Sequence, residues 1–599
     1  MTPGRLTSRA VPRIQVLPDA LVNQIAAGEV VERPASVVKE LVENALDAGA
    51  TRITVDVEGG GVARIEVADD GSGMGPEDAR LALERHATSK ISVADDLSRI
   101  GTLGFRGEAL PSIASVSRLV LVTSPDASGL GTEVVADGGG PPAVRPARQS
   151  KGTRVVVENL FANVPARRKF LKSVDAELRA IVRSLTALSL ARPSVSFVLR
   201  AGERLLLDLP EVPDAGTRFR GLLGDAFEGT LAPVSFAHRG MTLAGAVTPP
   251  EKTFPSKTQQ WLFVNGRAVK DATASHAAQL AAREAIRQGR HPAFALFIAC
   301  PPDACDVNVH PQKLEVRFRD PSAVHSLVHR GLLAALGGAK GATGVEAEAL
   351  TAKAPWTLRR AEPFARPAAS MAETLEAWGG ALAPPAAADV ARSAYPPSEI
   401  AASPLGALRL LGQYRSSFLV AEGERGLVLI DQHVAHERVR YERILPRLES
   451  SSVASQSLLL PVSFEATAEE ALLLSRADDL LAAAGFVVSE RSGRSFVVTA
   501  APADTPAGAI APFLRDFLAR LAGIPEGGDP GIAKRREALA ASLACRGAVT
   551  VNTRLAPAEA LKLLSDLARC RDPWTCPHGR PILLTFDHLE LEKRFGRRT

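Results

Sequence analysis

Three polar residues on one side of a predicted helix could carry out chemistry on a nucleotide. Glu40, Asn44 and Asp47 are spaced at i, i+4 and i+7, which places them along one helical stripe. A carboxylate one turn from an amide suits a general base that activates water beside a magnesium ligand. A solvated helix face produces the same spacing, so the stripe alone leaves both interpretations open.

The helix that would position these groups is indicated by its apolar side and its ends. Its core-facing residues repeat at helical spacing: Val38, Leu41, Val42 and Ala45. Pro34 and Ser36 are start signals, and Gly49 is a stop signal. The sequence therefore predicts an amphipathic helix that turns its polar stripe toward a site.

An acidic, glycine-containing bend follows two predicted strands. Residues 51–57 and 64–67 alternate like strands, and three glycines form the turn between them. They lead to Asp69 and, four residues later, Gly73. A carboxylate there can accept a hydrogen bond from an exocyclic amine, and glycine lets a flat base approach the backbone.

Two further segments favour a nucleotide site. A helix predicted from Pro76 to His86 leads to the segment 87–90, after which the glycine-rich stretch from Gly101 runs into another predicted helix at Leu110. Free backbone N–H groups at such a helix start bind phosphate. Finally, Thr153 places a hydroxyl at the head of a strand.

This ordered set resembles the nucleotide site shared by DNA gyrase, the Hsp90 chaperones, histidine kinases and MutL. Four longer strings resemble the MutL family of DNA mismatch repair proteins in particular: Gln24 to Ser36, His86 to Ile91, Gly104 to Leu110 and Asp306 to Phe318. The resemblance runs from about Ile14 to about Leu336 and resumes near Leu408.

The resemblance implies ATP and Mg²⁺ as cofactors and a role for each matching residue. Glu40 would activate the attacking water, Asn44 would hold Mg²⁺, and Asp69 would accept from the adenine amine. The other implied ATP-site residues are Gly73 and Thr153 at the base, and Thr88, Leu103, Gly104, Phe105, Arg106, Gly107, Glu108 and Lys313 at the phosphates. Without the resemblance, Lys313 is an ordinary lysine at a strand end.

A second group of possible ligands follows a predicted buried strand at residues 426–430. Its members are a mixture of carboxylates, imidazoles and thiols: Asp431, His433, Glu437, Glu442, Cys545, Cys576 and His578. Such a donor set suits zinc or manganese. A structural zinc site or plain packing would give the same residues.

The group resembles the endonuclease site of the nicking type of MutL, whose pattern is Asp-Gln-His-Ala, two residues, Glu, four residues, Glu. Val434 departs from the usual alanine. The resemblance implies an ATP-regulated endonuclease that nicks DNA at a site with Zn²⁺ or Mn²⁺. The alternatives are an ATP-driven matchmaker whose metal site is only structural and, more distantly, a chaperone of the Hsp90 type.

A short peptide in the C-terminal half resembles the segment that bacterial proteins insert into the sliding clamp. Gln456, Leu459 and Pro461 are its defining residues. The alternative is an ordinary buried strand that leads into Phe464.

Composition and charge limit the remaining possibilities. At 599 residues, a prior of roughly 150 per domain predicts about four units. The net charge of +5 is compatible with nucleic acid binding but does not demonstrate it. A basic patch is possible at Arg167, Arg168, Lys169 and Lys172, although a solvated helix face is an equal alternative. The five cysteines, and the absence of a signal-like or membrane-spanning segment, predict a cytoplasmic protein, and the resemblance implies that it is associated with the nucleoid.

The predicted fold class is a mixed α/β (α+β) multidomain protein. Four regions are expected: a gyrase/Hsp90-like ATPase sandwich (1–209), a domain like ribosomal protein S5 (210–336), a flexible Ala/Pro/Gly-rich linker (337–405), and an α/β dimerisation and endonuclease domain (406–599). The resemblance implies a homodimer that acts with DNA, the mismatch-recognition protein MutS and the sliding clamp.

Overall fold

The computed structural model describes residues 31–84, 87–88, 107–138, 140–224, 227, 229–286, 290–306, 316–337, 399–400, 407–450, 453–503, 505–524, 529–546, 548, 552–577, 579–595 and 597. Six predicted site residues and most of the predicted linker lie outside the described residues. The six are Leu103, Gly104, Phe105, Arg106, Lys313 and His578. Two compact units are present: residues 31–337 with Ser463–Ala477 and Ser489–Val497, and the rest of the described chain from 399 onward.

The first unit contains an eight-stranded sheet in the order β5-β4-β3-β6-β2-β1-β7-β8. Its strands are β1 (Arg52–Glu58), β2 (Arg64–Asp69), β3 (Arg118–Ser124), β4 (Leu130–Asp137), β5 (Ala143–Arg148), β6 (Gly152–Glu158), β7 (Ser196–Ala201) and β8 (Arg204–Leu209). Its helices are α1 (Pro34–Asp47), α2 (Pro76–Leu81), α3 (Ala109–Ser115), α4 (Pro165–Lys169) and α5 (Val174–Ala191). Alternate apolar residues of the central strands, such as Ile53 and Val55, form a core with α1 and α5.

The helix predicted around Glu40 is confirmed as α1. Its four apolar positions are all buried, and Gly49 has the left-handed φ of +73° expected of a stop signal. The prediction for the next helix was too long. α2 ends at Leu81, because the N–H of Glu84 donates to the carbonyl of Leu81 at 2.8 Å and so does not continue the α-helical pattern.

A second sheet follows in the first unit, in the order β12-β11-β13-β10-β9. Its strands are β9 (Ala232–His238), β10 (Met241–Val247), β11 (Gln260–Val264), β12 (Arg267–Ala268) and β13 (Phe294–Ala299), and β14 (Cys305–Asp306) pairs separately with β15 (Arg317–Phe318). The helices are α6 (Ala215–Leu223), α7 (Ala272–Ala285) and α8 (Pro321–Leu336). Small alanines on α7 let it pack closely against α8 and the sheet in a core of its own.

The C-terminal half contains a five-stranded sheet in the order β16-β17-β18-β19-β23 and a three-stranded sheet in the order β20-β22-β21. The strands are β16 (Glu399–Ile400), β17 (Leu408–Tyr414), β18 (Phe418–Gly423), β19 (Gly426–Asp431), β20 (Ser455–Glu465), β21 (Val487–Ser492), β22 (Ser495–Pro502) and β23 (Leu583–Asp587). The helices are α9 (Gln432–Glu449), α10 (Ala468–Leu474), α11 (Asp478–Ala483), α12 (Ala507–Leu521), α13 (Asp529–Arg546), α14 (Pro557–Ala568) and α15 (His588–Arg594). Helix α9 packs against α13 and α14. Among the described helices, none has both the length and the apolar character needed to cross a membrane.

Candidate nucleotide site and C-terminal acidic cluster

Asp69 lies at the end of β2, opposite Thr153 of β6. The N–H of Gly71 donates to Asp69 Oδ1 at 2.9 Å. Burial raises the pKa of the Asp69 carboxyl, while hydrogen bonds from the backbone of Gly71 and Thr153 act in the opposite direction and Asp70 raises it further. The carboxylate is therefore held in place beside a hydroxyl, where it can accept from an amine.

Two glycines close the backbone around this carboxylate. Gly73 has φ +65°, and a Cβ there would lie 1.8 Å from the carbonyl oxygen of Ser124. Gly152 has φ +120°, and a Cβ there would lie 2.0 Å from the carbonyl oxygen of Asp69. No side chain fits at either position, so the bend after β2 lies directly against β3 and β6.

Thr123, which the sequence reasoning missed, joins the parts of this pocket. Its Oγ1 accepts from the N–H of Met74 at 2.9 Å and lies 3.0 Å from Thr153 Oγ1. The same hydroxyl is 3.2 Å from the carbonyl oxygen of Gly152. Its role comes from the pairing of β3 with β6, and the sequence around Thr123 indicates only a strand.

Asp70 has a structural role that differs from the role of Asp69. Its carboxylate accepts from the N–H groups of Thr51 at 2.7 Å and Arg52 at 2.9 Å, and from the Thr51 hydroxyl at 2.6 Å. Burial opposes ionisation of Asp70, but these hydrogen bonds dominate and lower its pKa. Asp70 thus anchors the start of β1, and Asp69 is left for the pocket.

Glu40 belongs to an ion-pair network on α1. Lys39 Nζ lies 3.5 Å from Glu40 Oε1 and 2.9 Å from Glu43 Oε1. Burial tends to lower the pKa of Lys39, but the charges and hydrogen bonds of Glu43 and Glu40 raise it overall. The Glu40 side chain is only 19% exposed, so it does not belong to an open solvated face. Lys39 was also missed, although a cation next to a predicted general base was visible in the sequence.

Gly107, at the predicted phosphate-binding segment, lies against the segment that contains Thr88. Gly107 has φ +61°, and a Cβ there would lie 2.5 Å from the carbonyl oxygen of Ala87. Glu108 follows and is the N-cap residue of α3. The described end of the predicted glycine-rich segment, Gly107 and Glu108, therefore leads into a helix, and residues 101–106 lie outside the described residues.

In the C-terminal half, Asp431 ends β19 and caps α9. Its Oδ1 accepts from the N–H groups of His433 at 2.9 Å and Val434 at 3.1 Å. His433 and Glu437 then lie one turn apart on the helix, as predicted. Asp431 therefore has a structural function in addition to any catalytic one.

Glu437 and Cys545 come together where α9 packs on α13. The Glu437 side chain is completely buried, and the Cys545 thiol hydrogen-bonds to it. Burial raises the pKa of Cys545 to about 11, and the negative charges of Glu437 and Asp516 contribute to that increase. A buried carboxylate and a thiol in contact form an electronegative centre that a cation would stabilise.

Glu442 and Cys576 have other contacts. Glu442 accepts from the N–H groups of Arg571 at 2.7 Å and Asp572 at 3.2 Å, and Arg438 lies 3.6 Å from it. Cys576 accepts from the N–H of Arg580 at 3.4 Å. Within the described residues, no three His, Cys, Asp or Glu side chains are grouped as a metal site requires. Among the described predicted ligands, the side chains of Glu437 and Cys545 are hydrogen-bonded to each other, and Asp431 accepts from the backbone of His433. His578 lies outside the described residues.

The segment that resembles a clamp-binding peptide lies in β20. Leu459 is 98% exposed and Leu460 is 77% exposed, while Gln456 and Pro461 are also on the surface. The alternative of a buried strand is therefore wrong for residues 456–461. Burial begins only at Phe464.

Comparisons with known proteins decide the family. Three family models match in order: "Histidine kinase-, DNA gyrase B-, and HSP90-like ATPase" at residues 32–132, "DNA mismatch repair protein, C-terminal domain" at 219–337, and "MutL C terminal dimerisation domain" at 411–555. The MutL protein of Symbiobacterium thermophilum is 40% identical over 98% of this chain and 100% of its own length. The MutL protein of Anaeromyxobacter dehalogenans is 41% identical with the same coverage. The chain belongs to the MutL family of DNA mismatch repair proteins.

As a MutL family member, the chain has an ATPase domain of the gyrase and Hsp90 type, a central mismatch repair domain and a C-terminal dimerisation domain. Among solved structures, the ATPase domain of Aquifex aeolicus MutL complexed with ADP is 27% identical and covers 46% of this chain and 94% of its own, with a TM-score of 0.36. An N-terminal domain of a DNA repair protein covers 52% of this chain and 96% of its own, at 23% identity and a TM-score of 0.45. The family assignment depends on the sequence matches alone.

Proposed function

We propose that this MutL family member is an ATP-hydrolysing mismatch repair endonuclease. It would couple the recognition of a mismatch to the nicking of one DNA strand in the cytoplasm. Two observations support the proposal: the pocket formed by Asp69, Gly73 and Thr153 beside α1, and the buried contact between Glu437 and Cys545.

In the ATPase half, Asp69 accepts from the adenine amine, and the backbone at Gly73 provides a flat surface for the base. Thr153 completes the base pocket, held by Thr123. Asn44 would hold Mg²⁺, and Glu40, one helical turn away, would be the general base for the attacking water. Mg²⁺ supplies charge neutralisation at the phosphates when it is bound.

Lys39 orients Glu40 in this proposal. Its amine lies 3.5 Å from Glu40 Oε1 and 2.9 Å from Glu43 Oε1, so the two carboxylates share one cation. This ion-pair network holds the carboxylate of the base in position on α1.

On the phosphate side, Thr88 and Glu108 lie on the two segments that Gly107 brings together. Backbone N–H groups at the start of α3 bind the phosphates together with Leu103, Gly104, Phe105 and Arg106. Lys313 neutralises charge on the γ-phosphate. These last five residues enter by resemblance to the family.

DNA would contact a basic cavity in the first unit. This cavity of about 780 Å³ lies between α1, α5, β11 and α7, and its lining includes seven basic side chains against two acidic ones. The basic residues are Arg33, Lys39, Arg183, Arg192, Lys257, Arg267 and Lys270. Arg33 is paired with Glu177 at 2.9 Å and Lys39 with Glu43 at 2.9 Å, so the remaining cations would contact the phosphate backbone. Such contacts predict binding that weakens as salt rises. The patch at Arg168, Lys169 and Lys172 is exposed and would extend the contact.

The C-terminal half would hold a homodimer, as its match to a MutL dimerisation domain supports. The N-terminal halves would pair when ATP binds, and closure would then enclose DNA in a ring. MutS would bring this dimer to a mismatch, and the exposed peptide at Gln456, Leu459 and Pro461 would bind the sliding clamp.

The nuclease would be organised around Glu437 and Cys545. Glu437 is buried beside a thiol whose own ionisation is disfavoured by the carboxylate, and a divalent cation would relieve that repulsion. Cys545 and Glu437 therefore fit Zn²⁺ or Mn²⁺ as donors. Asp431, His433, Glu442, Cys576 and His578 would complete the metal sites, which when occupied lower the pKa of a bound water. Asp431 and His433 would orient that water toward the scissile phosphate.

The second candidate is an ATP-driven matchmaker whose metal site is only structural. The hydrogen bonds of Glu442 to the backbone of Arg571 and Asp572 favour this alternative, because they give an acidic residue of the pattern a role in holding a loop. Nicking of supercoiled plasmid by the full chain distinguishes the two. An endonuclease converts plasmid to the open circular form with Mn²⁺ and stops with chelator, whereas a matchmaker leaves the plasmid supercoiled in both conditions.

A further inference from the structure

Two thiols meet at the exit of β13, outside the sites described above. The Cys300 thiol donates to Cys305 Sγ across 3.3 Å. Both side chains are partly exposed, and the four residues between them include a 3-10 turn at Pro302–Ala304. The N–H of Ala304 donates to the carbonyl of Pro301 at 3.0 Å and tightens that turn. Small reagents therefore have access to a preformed pair of sulfur atoms.

Backbone hydrogen bonds on both sides hold the pair together. The N–H of Cys300 donates to Asn265 Oδ1 at 3.0 Å, and Asn265 Nδ2 donates to the carbonyl of Cys300 at 3.0 Å. On the other side, Cys305 pairs with Phe318 in the short ladder between β14 and β15. The approach of the two sulfurs is thus determined by the fold around them, so little chain movement is needed to join them.

The two thiols differ in acidity. The hydrogen bond from Cys300 lowers the pKa of Cys305 to about 7, although burial and the nearby Asp306 act in the opposite direction. The hydrogen bond to Cys305, burial and the charge of Cys305 raise the pKa of Cys300. Near neutral pH, Cys305 is therefore the nucleophile and Cys300 keeps its proton.

We propose that Cys300 and Cys305 form a redox-active dithiol, which closes to an intramolecular disulfide by exchange with a low-molecular-weight disulfide. The Cys305 thiolate attacks one sulfur of the small disulfide, forms a mixed disulfide and releases one small thiolate, which takes a proton from solvent. Cys300 then loses its proton and attacks Cys305 Sγ, which forms the internal S–S bond and releases the second small thiolate. Two protein thiols are oxidised, and one small disulfide is reduced to two thiols.

Cys570 provides an internal control. Burial raises its pKa to about 12, and nearby carboxylates contribute to the increase. Its thiolate fraction near neutral pH is therefore small. Even though a more acidic thiol is intrinsically a weaker nucleophile, Cys305 should react at least roughly tenfold faster than Cys570.

The test uses the full chain in a buffer of oxidised and reduced glutathione near neutral pH, quenched with acid, alkylated and analysed by peptide mass spectrometry. The unmodified protein should form the 300–305 disulfide without accumulating a mixed disulfide. Cys300→Ser should accumulate glutathione on Cys305, because the resolving thiol is absent, and Cys305→Ser should form neither product at this site. The proposal is overturned if the unmodified protein keeps both thiols reduced in oxidised glutathione.

A second measurement does not depend on the folding of the variants. Alkylation of the unmodified, reduced protein by iodoacetamide is followed at each cysteine as a function of pH. The rate at Cys305 should rise with a midpoint near pH 7, well below the pH at which the rate at Cys570 rises. Equal rates at Cys305 and Cys570 near neutral pH would also reject the proposal.

Discussion

Replacing Gly73 by alanine should weaken ATP binding strongly. A Cβ at this position would lie 1.8 Å from the carbonyl oxygen of Ser124, and the backbone has φ +65°. The left-handed conformation alone costs a residue with a Cβ about 1–2 kcal/mol. The clash adds to this cost, because the atom that is struck belongs to the backbone of the strand end and cannot rotate away.

The strain should appear in the binding constant. Without nucleotide, the loop can move away from Ser124 and relieve the strain, but the base pocket needs the loop in place. Nucleotide binding must then restore the strained geometry at a cost of roughly 2 kcal/mol or more, which raises the Kd for ATP about 30-fold. Equilibrium titration with a fluorescent ATP analogue measures this change, with circular dichroism as a check on folding.

Gly75 offers a matched control in the same loop. A Cβ there meets nothing within 4 Å, and the residue is the N-cap of α2 with φ −71°. Gly75→Ala should therefore leave the Kd within about twofold, since the added Cβ touches nothing and the backbone conformation is allowed for alanine. If Gly73→Ala binds ATP as well as Gly75→Ala does, the assignment of this bend to the base pocket is incorrect.

Three further predictions concern the other sites. Glu40→Ala should bind ATP but lose turnover, whereas Asn44→Ala should weaken the binding of Mg·ATP itself. Steady-state hydrolysis measures turnover and equilibrium titration measures affinity; an equal loss of affinity in both variants would contradict the separate roles of the two residues. Gln456→Ala combined with Leu459→Ala should abolish clamp-stimulated nicking, while the free energy of unfolding changes by only about 0.5 kcal/mol because both side chains are exposed. If the clamp still stimulates nicking by the double variant, the segment is an ordinary strand and does not bind the clamp. Zinc binding should release a proton from Cys545, because its raised pKa of about 11 keeps the thiol protonated at neutral pH in the metal-free protein. Calorimetry in two buffers of different ionisation enthalpy measures the number of protons released. If Cys545→Ser releases as many protons as the unmodified protein, Cys545 is not a ligand.

Local patterns in the sequence predicted the elements that position the nucleotide site. The apolar spacing around Glu40 predicted α1, and the glycine turn after β1 predicted the hairpin that delivers Asp69. A helix and a hairpin are determined largely by residues close together in the sequence, so the sequence pattern alone can predict them. Thr123 could not be found in this way, because its contacts with Met74 and Thr153 exist only after β3 pairs with β6.

The same limit applies in the C-terminal half. The pattern that begins at Asp431 predicted a strand followed by a helix with His433 and Glu437 one turn apart, and the structure has both. It could not predict that Glu437 contacts Cys545 of α13 while Glu442 caps a loop near Arg571, because helix packing separates residues that the pattern groups together. Equally, alternation of residue types could not show that Leu459 is exposed on β20.

The most direct test of the endonuclease is plasmid nicking by Asp431→Asn in the full chain. Asp431 caps α9 by accepting from two backbone N–H groups, and asparagine is an equally good cap, so the fold should survive the loss of the negative charge. The variant should remain a folded dimer, hydrolyse ATP near the unmodified rate and leave supercoiled plasmid intact with Mn²⁺, while the unmodified protein nicks it. A folded, dimeric Asp431→Asn protein that still nicks plasmid with Mn²⁺ would contradict the account.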